Sequence, residues 1–485
     1  MTFFRIALLV SLLPTVPILA EDSLFDLAAI RDTETLEIKV LQDWQPATKD
    51  PAVRQKLIEI TVCEWWPGQK VRLPVTLNAP ADRGPCRNVI VANQGLSRRA
   101  TLPTGGELDL LKNDGVGVVY IGMSTVNMME PVGELHTGMQ GQLLKTKDPR
   151  YTVSWIWGMS QMRALTAAMT EPKVFRPERV LTWGGSKRGV ASAAAGIHDD
   201  RFTAIFPVVA PPLGNPGAEH YLMGAEAGRL QKIDDRFYAA LDAGELEIDP
   251  SAAKALRDRA ERRANHRVSL ERAREAGWSD ADIESVTDLV WDASRVVDHL
   301  PELKKRGLEI FYNLGTNDSV SPSLIELGDE FPEFPVCIIP GGQHGGPANA
   351  GFTRQVPKLP GIKDNFVSFA KHHFFGERDM PATPKIESEV SSGELHIAVT
   401  FPDGTEPERN EIWWSTNRHS AYTLPFEYDR WDAANLTRED DGRYVATIPV
   451  RDGANRVDFL SLHTDTENAL PITFSSPYQR VEIEK

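Results

Sequence analysis

Cysteine is scarce: Cys63, Cys86 and Cys337 are all that 485 residues contain, and none lies in a CxxC pair. Three thiols do not make a disulfide framework. Cys63 and Cys86 can pair or stay free in an oxidising compartment, and Cys337, inside the apolar run Phe334-Pro-Val-Cys-Ile-Ile-Pro340, is expected as a packed thiol. Positive charge is also in deficit, with 53 basic residues against 68 acidic and a net charge of −15. Without a positive field, nucleic acid and anionic lipid are poor candidates for the main partner. No HExxH or comparable ligand spacing points to a metal, and no other cofactor is called for. Internal repeats and low-complexity tracts are absent. A 41% hydrophobic and 25% charged content is that of an ordinary globular chain, long enough for two or three domains.

Long apolar runs are missing too, apart from the N-terminus. There Arg5 precedes Ile6-Ala-Leu-Leu-Val-Ser-Leu-Leu13, and the segment closes at Pro17-Ile-Leu-Ala20 before Glu21-Asp22. A charged start, a short apolar stretch and a small residue at the end read as a signal peptide over 1–20, too short to span a bilayer. An uncleaved anchor or a buried helix is the competing reading. The expected location is secreted or periplasmic, with no membrane span.

The rest divides by pattern. Residues 55–62 and 70–77 alternate as strands, with Pro74 marking an edge or a bulge. Short apolar runs at 88–93, 115–122, 179–183, 203–210, 308–313 and 336–339 suit strands buried on both faces, separated by helical stretches at 151–170 and 186–197 and closed by one at 363–375. This strand–helix alternation predicts a mostly parallel sheet with helices on both faces, built from 21–211 and 301–380. Between them, 212–300 reads as a helical cap insertion: 252–276 is charged and helix-favouring, and Ser279 or Asp280 is placed to cap a further helix. Residues 383–485 show short alternating strands separated by turns, the pattern of an all-β sandwich.

The sharpest chemical signal is Gly184-Gly185-Ser186-Lys187-Arg188-Gly189, between a predicted strand and a predicted helix. A serine at such a strained turn stands clear of the sheet edge, and small neighbours let strand and helix approach closely. The match to GxSxG is incomplete, because Arg188 stands where the second glycine belongs and Gly189 follows it. Alone, the turn also reads as a phosphate-binding loop or a plain tight connection. Its context supplies the partners: Asp318 follows the strand ending near 313, and His344, flanked by glycines, follows the strand at 336–339. Ser186, Asp318, His344 is the chain order of the α/β-hydrolases, each residue in a loop after a strand. The bland alternatives are a turn histidine and an Asx-turn or cap aspartate. Asn317 competes with Asp318 by position, but an amide cannot balance an imidazolium charge. His198 and the pair His372-His373 fall at expected helix ends, where surface roles suffice.

The backbone N–H of Lys187, with that of Gln94 or Gly95, is the expected oxyanion hole. The side chains of Lys187 and Arg188 either lie in solvent or pair with carboxylates of the insertion, or one adds positive charge at the oxyanion or at an anionic substrate. Arg98 and Arg99 offer the same possibility. Trp and Met residues in the cap and in 123–159 are candidates to line an apolar pocket.

Thr182-Trp-Gly-Gly-Ser-Lys-Arg-Gly189, the small-residue helix after it, Asn313-Leu-Gly-Thr-Asn-Asp318 and the Gln343-His344 loop resemble the PhoPQ-activated pathogenicity-related protein family, across roughly residues 25–480. More distantly, the elbow is similar to that of glucuronoyl esterases, where a basic residue follows the nucleophile. The resemblance implies a secreted bacterial protein of α/β-hydrolase type with a β-rich C-terminal part, linked to envelope or virulence physiology, and no settled substrate. The combined expectation is an α/β-hydrolase sheet with a helical cap and a C-terminal sandwich, hydrolysing a small-molecule or carbohydrate- or peptide-linked ester through an acyl-serine. A serine peptidase or amidase on the same triad is the alternative, as is a non-catalytic binding or signalling protein on this scaffold. In the sandwich, Trp413-Trp414 either stack on sugar rings or are split between core and surface by strand alternation. Oligomeric state is left open.

Overall fold

The computed structural model describes residues 24–95, 97–122, 132–214, 243, 268, 270–318, 324–342, 364–418 and 431–483. The expected signal segment 1–20, most of the expected insertion before 268, and His344 lie outside the described residues. Among the described residues no helix is long and apolar enough to cross a membrane.

Ten described strands form one sheet: β1 (Lys39–Ala47), β2 (Asp50–Trp66), β3 (Gln69–Pro80), β4 (Cys86–Gln94), β5 (Gly117–Gly122), β6 (Phe175–Gly185), β7 (Ala204–Val208), β8 (Glu309–Ile310), β9 (Tyr312–Gly315) and β10 (Val336–Ile339). They lie in the order β1-β2-β3-β5-β4-β6-β7-β9-β10, with β8 beside β7. The β1, β2, β3 and β5 pairings are antiparallel, and every pairing from β5 to β10 is parallel. This is the mostly parallel sheet with helices on both faces expected from the strand–helix alternation, extended by antiparallel strands at its N-terminal side. The helices around it are α1 (Leu27–Arg31), α2 (Gly106–Asp114), α3 (Val132–Thr146), α4 (Val153–Met169), α5 (Lys187–His198), α6 (Leu270–Glu275), α7 (Asp280–Asp292), α8 (Leu300–Arg306), α9 (Leu324–Glu330) and α10 (Asn365–Phe375).

Strand alternation feeds two cores. On β4, Ile90 and Ala92 join one apolar cluster with α2 and α10, while Val89 and Val91 join the other with α4. Trp155, Trp157 and Met159, among the residues expected to line a pocket, are buried in this second cluster. Pro74 pairs opposite Glu59 of β2, and the β3–β5 ladder starts only at Val75, so on its other side Pro74 lies on an unpaired edge of β3, as the proline suggested, and no bulge occurs there.

In the insertion, Ser279 caps α7: its hydroxyl accepts from the Asp282 N–H at 3.1 Å, and the Asp282 carboxylate accepts from the Ser279 N–H at 2.8 Å. Trp278, Ile283, Val286 and Val290 pack against Leu143 of α3. All three cysteines are free thiols; burial pushes Cys63 and Cys337 up to about 12 and Cys86 to about 11. The histidines expected at the surface are structural instead. His198 stacks against Phe25 at 4.7 Å and burial lowers it to about 4. His373 is buried between Thr203 and Glu309, at 2.8 and 2.9 Å, and His372 meets the same Glu309 at 3.2 Å.

The C-terminal strands are β11 (Lys385–Ser391), β12 (Glu394–Thr400), β13 (Arg409–Thr416), β14 (Asp432–Asn435), β15 (Thr437–Arg438), β16 (Tyr444–Pro449), β17 (Arg456–Glu467), β18 (Leu470–Ser475) and β19 (Gln479–Glu482). They form two antiparallel sheets, β11-β12-β16-β15 and β14-β13-β17-β18 with β19 on β17. Leu395, Ile397 and Val399 face Ile412, Val457 and Phe459 in the sandwich core. The other face of β13, β17 and β18 presents Trp413, Leu460, Leu462, Ile472 and Phe474 to the hydrolase core. That sheet is therefore buried on both faces. Trp413 enters the shared core and Trp414 packs toward the sandwich interior, so the pair forms no exposed platform for sugar rings.

Polar contacts fix the joint. The Ile338 N–H donates to the Ser475 hydroxyl at 2.9 Å, and Asn365 accepts from the Thr473 N–H at 2.7 Å while donating to its carbonyl at 2.8 Å. At Gly328 of α9, a Cβ would lie 2.1 Å from the carbonyl oxygen of Tyr478. Gly328→Ala is therefore expected to lower stability by about 1–3 kcal/mol. Gly141→Ala, in α3 with open space around it, should raise it by about 0.4–1 kcal/mol. Urea denaturation of the two variants checks the contrast, and a wild-type midpoint for Gly328→Ala would refute the tight joint.

Candidate active site

Ser186 sits between the end of β6 and the start of α5 with φ 58° and ψ −127°. A non-glycine residue there carries strain of order 1–3 kcal/mol and persists only where its surroundings enforce it. Here they do. The Ser186 N–H donates to the Val208 carbonyl at 2.8 Å, and its own carbonyl accepts from Val190 N–H at 3.0 Å. Gly184 lies against the second residue of α5: a Cβ on it would be 2.5 Å from Arg188 Cβ and 2.8 Å from the Arg188 carbonyl. Gly189 lies against the segment that follows β7, where a Cβ would be 2.6 Å from Ala210 Cβ. The close approach that the second glycine of GxSxG serves thus falls one position later, which is why Arg188 is tolerated in the motif.

Behind the elbow runs a buried polar network centred on Gln161 of α4. Its amide nitrogen donates to the Asn93 side-chain oxygen and to Ser192 Oγ, the latter at 3.2 Å, and its carbonyl oxygen accepts from Thr182 Oγ1. Ser192 Oγ in turn donates to the Arg188 carbonyl at 2.9 Å. One fully buried side chain thereby ties β4 (Asn93) to β6 (Thr182) and α5 (Ser192). Gln161 belongs to no motif; its only sequence signal is a polar residue within the apolar stretch of 151–170. On the opposite face of the sheet, Trp183 Nε1 donates to Glu107 at 2.8 Å and Tyr120 donates to the same carboxyl, which burial pushes up from its ordinary value.

Lys187 opens α5, and N–H groups in a first helical turn have no acceptor within the helix. β4 lies next to β6, pairing Ala92 with Trp183, and this brings the Asn93-Gln94-Gly95 end of β4 to the elbow. Asn93 and Gln94 are buried, and Gln94 donates its side-chain N–H to Thr76 Oγ1 at 3.2 Å. Gly95 is exposed.

Asp318 is fully buried in the loop after β9, with its N–H on the Gly315 carbonyl at 3.2 Å. Val208 pairs with Asn313, so the aspartate loop stands two strands from the elbow. The chain leading toward His344 is fastened to that loop. Thr316 N–H donates to Ile339 O at 3.1 Å, Asn317 N–H to Gly342 O at 2.9 Å, and Gly341 N–H to Thr316 Oγ1 at 2.8 Å. Gly342 lies two residues before His344.

The cations separate. Arg188 is half-buried and makes no ion pair or hydrogen bond among the described residues, and burial alone lowers its affinity for the proton. It neither lies in solvent nor pairs with the described carboxylates of the insertion. Lys187 is half-buried beside it. Arg98 is turned out toward Glu59 at 3.8 Å, and Arg99 is exposed.

The sequence matches no protein-family model and no curated protein. Among solved structures it is similar to an acetyl xylan esterase from Paenibacillus sp. R4, with 13% identity, a TM-score of 0.41, and coverage of 72% of this chain and 92% of that one. Acetyl xylan esterase 1 from Thermoanaerobacterium sp. JW/SL YS485 gives 14%, 0.38, 70% and 88%. A glucuronoyl esterase from Solibacter usitatus gives 18%, 0.27, 36% and 52%. At identities and TM-scores this low, none of these likenesses bears on what the chain does.

Gln161→Leu leaves the Asn93, Thr182 and Ser192 groups without their shared partner inside the core. It should cost about 1–3 kcal/mol, read by urea denaturation. Wild-type stability would mean that the network does not brace the elbow.

Proposed function

We propose that this chain is a secreted serine hydrolase that cleaves carboxylic esters through an acyl-serine intermediate. The observation that carries the reading is the backbone of Ser186, held in the left-handed region at a strand–helix elbow, with the buried carboxyl of Asp318 two strands away. In this reading Ser186 Oγ attacks the ester carbonyl while its proton passes to His344, and Asp318 holds the imidazole tautomer and balances the imidazolium. The N–H groups of Lys187 and of Gln94 or Gly95 receive the developing oxyanion. His344 returns the proton to the leaving alcohol, then takes one from the water that releases the acyl group.

The signal segment 1–20 supports secretion, and the Ser-Lys-Arg-Gly elbow supports kinship with the PhoPQ-activated pathogenicity-related proteins. The wild type is expected to label with a fluorophosphonate probe, and Ser186→Ala and His344→Ala to lose all labelling. Asp318→Asn should keep the fold and lose about 10⁴-fold in ester turnover, because the histidine is then held in the wrong tautomer. A folded wild type that does not label would end the hydrolase reading.

Arg188 narrows the substrate. A half-buried guanidinium with no partner among the described residues, two positions after the nucleophile, suits an ester carrying a carboxylate or other anionic group near the scissile bond. Arg188→Gln should then lower kcat/KM for an anionic ester about 10–100-fold more than for its neutral analogue, the equivalent of one charge-assisted hydrogen bond. Equal losses on both substrates would assign Arg188 to the oxyanion alone.

A further inference from the structure

We infer that the C-terminal β-sandwich is a working part of the active site, through Arg418 as a positioning residue for the Asp318 loop; this rests on the hydrolase reading. Arg418 follows β13 and is among the most deeply buried large side chains of the chain. Its Nη2 donates to the Thr316 carbonyl at 2.8 Å, two residues before Asp318, and its Nη1 donates to the Tyr478 hydroxyl at 3.0 Å. The guanidinium packs over the rings of Trp431 and Tyr478, 5.1 and 5.7 Å from their centroids. Its backbone is held in turn, because Arg480 donates to the Arg418 carbonyl at 3.3 Å while its guanidinium clasps the buried Asp458 at 2.7 and 2.9 Å.

The same cluster reaches the second loop. Trp431 faces Gly341, where a Cβ would lie 3.9 Å from its ring, and Gly341 donates its N–H to Thr316 Oγ1. Thr316 is thus held from both sides, by the sandwich through its carbonyl and by the chain leading to His344 through its hydroxyl. A guanidinium taken out of water is costly unless its donors are matched. This one spends a donor on the carbonyl of the residue that follows β9, where the sheet ladder ends and the backbone needs another partner. The carboxyl of Asp318 must be fixed to fractions of an ångström to orient an imidazole. Arg418 supplies a rigid, planar anchor for that loop from outside the hydrolase sheet.

Arg418→Met, of similar length without donors, tests this, with Arg418→Lys as the conservative variant. Backbone hydrogen exchange at Asn317 and Asp318 should accelerate at least tenfold in Arg418→Met, with the β12 and β16 amides unchanged. Its kcat on a short acyl ester should fall 10–100-fold with KM within threefold, and Arg418→Lys should recover part of the loss. Should Arg418→Met fail to fold, Tyr478→Phe removes one acceptor while keeping the ring, and should show the same local exchange increase at smaller amplitude. Wild-type exchange at Asn317 and Asp318, or acceleration spread evenly over the sandwich and the sheet, would overturn the proposal. The exchange readout needs no turnover, so an inert wild type would remove the hydrolase reading while still deciding whether Arg418 holds the loop.

Discussion

One backbone hydrogen bond sets the geometry on which the rest depends: the Ser186 N–H to the Val208 carbonyl, at 2.8 Å. It clamps the start of α5 to the neighbouring strand while Ser186 sits at φ 58°, and the tight surroundings hold that strain in place. Gly184 and Gly189 have no room for a side chain, Gln161 joins three elements behind the turn, and Val209 itself takes φ 46° just past the acceptor. A β-branched residue at positive φ is unusual. Two adjacent loops are strained at the same edge of the sheet, where strained residues cluster at functional sites.

The two halves of the chain are one structure. The sheet containing β13 and β17 faces the sandwich interior with one set of side chains and the hydrolase core with the alternate set. The contacts at Ile338, Asn365 and Gly328 lie along the last strand and the closing helices of the hydrolase sheet, below the loops that carry Asp318 and lead to His344. A buried arginine at such a joint is an expensive residue unless it does something that apolar packing cannot. Reaching a loop carbonyl is one such thing.

Much of this was legible in the sequence, for identifiable reasons. Strands buried on both faces read as unbroken apolar runs, so β4, β5, β7 and β10 were visible, and the glycines at 184, 185 and 189 announced a tight turn. The Ser186–Asp318 order followed from the loops after those runs. Other features were not legible. Alternation at Trp413-Trp414 shows that neighbours point apart, but not that both sides are covered. A lone Arg418 or Gln161 has no periodicity, and its meaning lies in groups about a hundred or about twenty to seventy residues away. His198, His372 and His373 were misplaced because a histidine at a helix end does not reveal what packs over that end.

Covalent acylation of Ser186, the step proposed above, is tested by peptide-level mass spectrometry of protein quenched during turnover of an activated acyl ester. An acyl group on the peptide containing Ser186, formed and released at rates that match turnover, is the expected result. Ester turnover with no adduct on that peptide, or turnover undiminished in Ser186→Ala, would contradict it.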